Sequence, residues 1–227
     1  MKKLQQISLI LFLLIFSIQG WTAEKIALTL KARGQTSLKR SNEENFKTGV
    51  KPGTSLFNED QIKTGDDGYA VLVFLDDKTQ IKVRENSEMI ISGTRTTEAI
   101  SKQIAMQIGT LKAEISPQRK GEFVIATPTS VASVKGTVFW LISDPVMGDV
   151  FYGLSGFVEV TNNESGAVVV VGANETGTST PDGQVNVGTT PAGGTPADDD
   201  EDSDTSNILR IQLQNNQGDI KDIKIEY

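Results

Sequence analysis

The chain has 227 residues, of which 37% are hydrophobic, which is enough for one substantial domain with a buried core. It contains no Cys and no His, which excludes disulfides, thiolate zinc sites and cysteine nucleophiles and removes the commonest general base. The formal net charge is -7, and the sequence lacks the clustered Lys and Arg residues with which nucleic-acid-binding proteins contact phosphates. We therefore predict a chain that is not an enzyme, holds no cofactor or resident metal, and has no nucleic-acid partner.

The N-terminal residues have the pattern of a secretory signal. Lys2 and Lys3 precede a mostly apolar run over residues 7–18, and the small residue Ala23 follows. A membrane-spanning helix needs about twenty apolar residues, so this run is too short to be one. The pattern predicts a signal peptide at 1–23 and a periplasmic or secreted protein without a transmembrane span after cleavage. A retained N-terminal anchor is the alternative.

Between residues 24 and 171 the chain follows the period of a β-strand. Apolar and polar residues alternate at 26–30, 81–83, 104–108 and 111–115. Such alternation is typical of strands with one face buried and one face in water.

Two segments in this region lack the polar alternation, 69–75 (YAVLVFL) and 138–142 (VFWLI), and we predict that they are central strands buried on both faces. Turn residues separate the apolar runs at intervals of about ten residues. The prediction is one all-β domain over 24–171, with short, mostly antiparallel strands arranged as a sandwich, a roll or a solenoid-like stack.

The composition changes after residue 171. Residues 172–207 consist almost entirely of Gly, Ala, Thr, Asn, Pro, Ser and acidic residues, which predicts a flexible acidic linker. Residues 208–227 alternate again around a polar turn, which predicts a C-terminal β-hairpin. An isolated hairpin is marginally stable, so we expect it to pack on the main sheet or on another chain.

Four short motifs occur in a fixed order in the β domain. They contain Asp60, Thr64, Gly65 and Gly68 in DQIKTGDDG, then Gly109 in IGTL, then Thr127, Pro128, Gly136, Thr137 and Phe139 in ATPTSVASVKGTVF, and lastly Gly156 before VEV. Together they resemble the FecR domain, the extracytoplasmic module of bacterial FecR-type regulators, over roughly residues 30–165. The resemblance implies a secreted, non-catalytic sensing or interaction module in which these residues have structural roles.

Three features depart from the family pattern. Lys78 replaces the usual turn glycine, and Ser155 stands where an acidic residue commonly precedes the last glycine. Regulators of this family that bind a sigma factor carry a cytoplasmic domain before a membrane span, whereas only six residues precede the apolar run here. We therefore expect a FecR-like protein that lacks the sigma-factor-binding region.

The segment 134–138 (VKGTV) contains a glycine between Lys and Thr, but a phosphate-binding loop needs a second glycine five positions earlier and a helix afterwards. A Ser–Lys pair at Lys135 has no supporting motif. We predict a strand corner at Gly136. Trp140 is expected to anchor the core, with ligand stacking as the alternative.

Two groups of polar residues, Asp60 with Thr64 and the acidic run 198–204, could suggest a binding site. Asp60 and Thr64 are expected to cap turns through side-chain to backbone hydrogen bonds. The acidic run 198–204 lacks the glycine and the closing Glu of an EF-hand loop, which leaves weak Ca²⁺ binding as the only metal hypothesis.

The leading functional hypothesis is a secreted module that binds a protein or cell-envelope component in sensing or signalling. A surface adhesion or carbohydrate-binding module with a calcium-sensitive acidic linker is the alternative. A carboxylate-based hydrolase is the minor alternative.

Overall fold

The computed structural model describes residues 24–95, 100–118, 123–198, 208–214 and 220–226. All regular structure in these ranges is β-strand. No helix that could cross a membrane occurs among them. The chain divides into two units, Met1–Pro191 and Ala192–Tyr227.

The described part of the first unit contains seventeen strands. They are β1 (Lys25–Arg33), β2 (Thr36–Lys39), β3 (Lys47–Thr48), β4 (Ser55–Phe57), β5 (Asp60–Thr64), β6 (Tyr69–Phe74), β7 (Gln80–Val83), β8 (Glu88–Arg95), β9 (Ile100–Ile115), β10 (Phe123–Ala126), β11 (Ser130–Val134), β12 (Thr137–Asp144), β13 (Gly148–Ser155), β14 (Val158–Asn162), β15 (Val168–Val171), β16 (Glu175–Ser179) and β17 (Val185–Thr189).

These strands form two sheets that share one strand. The first sheet has the order β4-β1-β6-β7-β9-β12-β13-β16-β17. The second has the order β3-β2-β5-β8-β9-β10-β11-β14-β15. Among the described residues every pairing is antiparallel except that of β9 with β10. The predicted all-β domain of mostly antiparallel strands is confirmed.

Strand β9 passes from the second sheet to the first at Gly109. The buried side chains before this point are at even positions, such as Ile104 and Met106, and those after it are at odd positions, such as Leu111. Gly109 has a φ of 118°, and a Cβ there would lie 2.5 Å from the Cα of Ser87. Only glycine fits this crossing without strain.

The crossing changes one sequence-based expectation. Alternation places Ile108 on the apolar face of its strand, but the residue is 41% exposed because the inward-facing side changes at the next position. The glycine that punctuates two apolar runs is therefore a bend inside one sixteen-residue strand, and no turn separates them.

Side chains of both sheets pack in one core. Phe74 of the first sheet meets Phe123 of the second edge to face, with ring centroids 5.6 Å apart. The predicted central strands 69–75 and 138–142 correspond to β6 and β12, each of which pairs with a strand on both sides. β6 is buried at most positions on both faces, whereas β12 is buried on the face of Phe139 and Leu141 and, on its other face, only at Trp140.

The structure differs from the prediction at the start of the proposed linker. Residues 175–189 form the hairpin β16–β17, and β16 pairs with β13 in the first sheet. The composition of this segment indicates a linker because a hairpin at the edge of a sheet needs few apolar residues. Gly177, for example, lies against the Val171 side chain, where a larger residue would not fit. Residues 199–207 of the predicted linker lie outside the described residues.

The second unit contains β18 (Ile208–Gln214) and β19 (Ile220–Glu226), which pair antiparallel. These strands lie within the predicted C-terminal hairpin at 208–227. What the hairpin packs against remains a prediction.

A buried lysine lies at the border of the two sheets. Lys102 on β9 is 2% exposed, and its Nζ lies 2.8 Å from Asp76 Oδ2 and 2.8 Å from Asp77 Oδ2. Gln118 Nε2 also donates to Asp77 Oδ2, at 2.6 Å. The pKa of Asp77 is lowered: burial raises it, but the hydrogen bonds from Lys102, the Thr79 amide and Gln118 outweigh burial. This cluster joins the β6–β7 turn to the second sheet.

We expect Gly109→Ala to lower the free energy of unfolding by about 3 kcal/mol, because the new methyl group meets Ser87 and the residue must keep a positive φ. Gly188→Ala is the matched control, since a methyl group there would have no described atom within 4 Å, and it should change stability by less than about 0.5 kcal/mol. Urea unfolding measures both. Equal effects of the two substitutions would contradict the proposed role of Gly109.

We expect Lys102→Ala to cost about 3 kcal/mol, because Asp76 and Asp77 would lose their cation in a partly desolvated setting. Lys63→Ala, which breaks an exposed pair with Glu88, should cost less than about 1 kcal/mol. Both values come from urea unfolding at neutral pH. A Lys102→Ala protein as stable as Lys63→Ala would show that the buried cluster is dispensable.

Candidate functional site

Thr64 and Gly109 meet at one corner, around a serine. The Thr64 hydroxyl donates to the Arg84 carbonyl at 2.6 Å and accepts the Ser87 amide at 2.9 Å. The Ser87 hydroxyl accepts the Thr110 amide at 3.0 Å, directly beside Gly109. These bonds satisfy buried backbone groups where β8 enters and β9 crosses, so the hydroxyls serve the fold.

Gly65 and Gly68 lie in the turn that precedes β6. The Gly65 amide donates to the Gln35 carbonyl at 2.7 Å, and the Gly68 amide donates back to Gly65 at 3.1 Å. A Cβ on Gly68 would lie 2.5 Å from the Gln35 carbonyl oxygen. The turn therefore packs backbone against backbone, which is a setting that requires glycine.

Asp60 lies at the other end of β5 and does not join this corner. Its Oδ2 accepts hydrogen bonds from Arg40 and from the Phe57 amide, the latter at 2.8 Å. Burial raises the pKa of Asp60, and the bonds from Phe57 and Arg40 oppose the rise. Asp60 caps the β4–β5 turn and fixes Arg40, whose guanidinium also donates to the Ser55 carbonyl.

The Thr127-Pro128 motif closes over a buried carboxylate. The Thr127 hydroxyl donates to Asp149 Oδ2 at 2.5 Å and accepts the Ser130 amide at 2.8 Å. The Ser130 hydroxyl donates to the same carboxylate oxygen. The motif thus holds the start of β11 in the second sheet to β13 in the first.

Asp149 is the residue at this site that sequence reasoning missed. Burial raises the pKa of its carboxyl, and the hydroxyls of Ser130 and Thr127 oppose the rise. Its Oδ1 has no hydrogen-bond partner among the described residues. The available signal was an acidic residue inside an apolar strand, GDVFYGL, because strands are depleted in Asp unless it has a buried role.

Gly136, Thr137 and Gly156 form the predicted strand corner. The Thr137 hydroxyl donates to the Phe157 carbonyl at 2.8 Å. A Cβ on Gly156 would lie 2.7 Å from the Gly136 carbonyl oxygen. Beside this corner is an open cleft of about 460 Å³, and its lining includes Lys135, Phe157, Glu159 and Val170. The cleft opens to solvent and holds one carboxylate.

Phe139 and Trp140 point to opposite faces of β12. Phe139 is buried in the core, with its ring centroid 6.3 Å from that of Phe151. Trp140 is buried under two cations, with Arg84 5.9 Å and Lys112 5.8 Å from its ring centroid. At 2% exposure the indole has no open face for a ligand, but it lies outside the core cluster that contains Phe139, so the expectation that Trp140 anchors the core is wrong.

Two hypotheses about the chemistry of the chain remain, a metal site and a carboxylate-based hydrolase. No cluster of three or more acidic side chains suited to a metal occurs among the described residues. Most of the acidic run at 198–204 lies outside them, so the Ca²⁺ hypothesis stays a prediction. A hydrolase would need two carboxylates across a cleft, roughly 5–10 Å apart, and the cleft at the Gly136 corner has only Glu159.

We expect Asp149→Asn to change the pH dependence of stability. The folded protein binds the Asp149 proton more tightly than the unfolded chain does, because the pKa of this carboxyl is raised on folding. Its contribution to the free energy of unfolding therefore falls as the pH rises from the ordinary pKa of 3.8 through the raised pKa of the folded state. The variant should lack this loss when urea unfolding is measured across that range. Asp144→Asn is the opposite control, since backbone amides lower the pKa of Asp144 and its contribution is lost on acidification. Parallel profiles for wild type and Asp149→Asn would contradict the assignment.

Part of this chain is similar to known proteins. Residues 60–153 match the family model described as FecR protein. Two crystal structures of a candidate anti-sigma factor from Parabacteroides distasonis ATCC 8503, at 2.50 and 1.65 Å resolution, are similar at 17% and 19% identity, with TM-scores of 0.48 and 0.47. Each match covers 57% of this chain and 59% of the other, so this chain spans about three fifths of those proteins.

No curated protein matches significantly. The family match begins at Asp60 and extends through the Thr127-Pro128 motif and the Gly136 corner to Gly153. Over these residues the chain is similar to the FecR family.

Proposed function

We propose that this chain is a non-catalytic, extracytoplasmic module that binds a protein or cell-envelope component in sensing or signalling. The match of residues 60–153 to the FecR family supports a regulatory role. The observation that carries the binding proposal is an apolar surface on an otherwise well-packed domain, formed by Phe157, Val168 and Val170. Apolar patches of this kind mark interaction sites on soluble proteins.

The motif residues support a binding role because the fold occupies their polar groups. The hydroxyls of Thr64 and Thr127 and the carboxylate of Asp60 are all engaged in bonds that hold strands and turns. A catalytic group must instead reach a substrate atom. The motifs therefore build the scaffold, and function falls to surfaces outside them.

Location and partner are parts of the proposal. An extracytoplasmic location rests on the signal-like pattern at 1–23, which lies outside the described residues. The similar solved proteins are described as candidate anti-sigma factors, but a likeness this distant carries no argument about a partner. We therefore propose a partner outside the cytoplasm and do not assign sigma-factor binding to this chain.

The test is affinity capture from a cell-envelope extract with the purified folded chain as bait. We expect one protein in a stoichiometric amount, and none with a heat-unfolded bait. No capture by the folded bait, or equal capture by the unfolded bait, would contradict the proposal. In a parallel arm, millimolar Ca²⁺ should leave the melting temperature unchanged; a substantial rise would favour the adhesion alternative.

A further inference from the structure

Among the described residues the two sheets end in four edge strands, and two of them are protected against pairing with another chain. Strand β3 has only two residues, one of them Lys47, and Arg40 occupies the Ser55 carbonyl on β4. Very short strands and charged side chains are usual means of blocking an edge. Strands β17 and β15 have no charged side chain, but β17 carries the polar Asn186 and Gly188 beside Val187, whereas all four residues of β15 are valine.

The backbone of β15 presents free hydrogen-bonding groups. The Asn162 amide donates to the Ala167 carbonyl at 2.9 Å, which fixes the alternation of the antiparallel pair β14–β15. In this alternation the amides and carbonyls of Val168 and Val170 point away from β14. Among the described residues of the first unit, β14 is the only strand that pairs with β15. An extended peptide laid along β15 would find these groups available.

Apolar side chains border the same edge. Val168 is 53% exposed, Val170 is 51% exposed, and Phe157, at 71%, lies beside the end of β15 against Gly172. Val170 and Phe157 also line the 460 Å³ cleft at the Gly136 corner. An added strand would therefore place alternate side chains against a valine row and an aromatic ring, which is the arrangement that gives strand addition its specificity.

The charge of this region indicates what kind of strand fits. Between residues 136 and 191 there is no Lys or Arg, and there are six acids: Asp144, Asp149, Glu159, Glu164, Glu175 and Asp182. Glu159 lies opposite Val170 on the neighbouring strand, and Glu175 binds the Gly172 amide at the end of β15. Lys135, which lines the same cleft, is the cation nearest to this region in the sequence. An acidic strand, or the same edge of a second copy, would bring carboxylates against carboxylates.

We propose that β15 binds an extended segment of a partner protein by strand addition, and that the face of this segment on the side of Val168, Val170 and Glu159 carries both apolar and basic residues. The inference rests on the proposed binding function and names its surface and the chemistry of its partner. Main-chain hydrogen bonds to Val168 and Val170 hold the segment. Its apolar side chains pack on the valines and Phe157, while its basic side chains meet Glu159 and Glu175.

The probe is a fluorescent peptide of about ten residues, with valine and lysine in turn at every second position and threonine between them, so that both kinds lie on one face; it is titrated into the full chain by anisotropy. We expect saturable binding that weakens with salt. A valine–glutamate peptide of the same length should bind at least about 10-fold more weakly, because its carboxylates face Glu159 and Glu175. A valine–lysine peptide N-methylated at alternate residues should not bind, since it cannot donate to the edge.

Variants of the chain locate the site. Val170→Pro removes an outward-pointing amide without breaking a ladder bond, and Val170→Lys adds a repelling charge should the proline variant fail to fold. Both should weaken binding of the valine–lysine peptide at least about 10-fold, with Val187→Lys on β17 as the unaffected control. Equal binding of the two charged peptides, or binding that ignores Val170, overturns the inference. So does a wild-type dimer that Val170→Pro converts to monomer, because the occupant would then be a second copy.

The envelope capture separates this inference from the broader proposal. If the Val170→Pro bait still captures the same protein while the peptide arms fail, the binding function stands and the β15 surface is wrong. If the peptide arms succeed but no bait captures a protein, the edge binds strands and the envelope-partner proposal fails.

Discussion

The crossing of β9 at Gly109 is the constraint on which the domain depends. One strand supplies inward-facing side chains to the second sheet and then, after a shift of one position, to the first. The sheets therefore have a common backbone, and their relative placement is fixed by covalent geometry as well as by packing. The hydroxyls of Thr64 and Ser87 form hydrogen bonds beside this crossing, so Thr64 and Gly109, which belong to different motifs, act at one place.

A second link between the sheets is made by the Thr127-Pro128 motif and Asp149. Two hydroxyls stabilise a carboxylate that has no cation, which is costly in a buried position but defines where β11 and β13 meet. Lys102 makes a third link, with carboxylates that do have a cation. The polar groups buried in this domain thus specify which strands meet, while the apolar core supplies most of the driving force.

The sequence predicts the class of this fold well because alternation with a period of two reports directly on burial. It could not predict contacts that join distant parts of the chain, such as Asp149 with Thr127 or Lys102 with Asp77, because alternation says nothing about which strands are neighbours. The hairpin at 175–189 was missed for a different reason. Its inward positions, such as Gly177, must be small to fit against Val171, and small residues indicate a linker by composition.

The pairing order also determines how this architecture can change in length. After β9, hairpins are added to the two sheets in turn: β14 pairs with the preceding β11, and β16 with the preceding β13. Nothing in this scheme closes the sheets on themselves, so removing or adding a terminal hairpin leaves the earlier pairings intact. The last hairpin of each sheet is therefore the interchangeable part of the domain, and a relative with one hairpin more or fewer would present a different edge to its surroundings while keeping the same core.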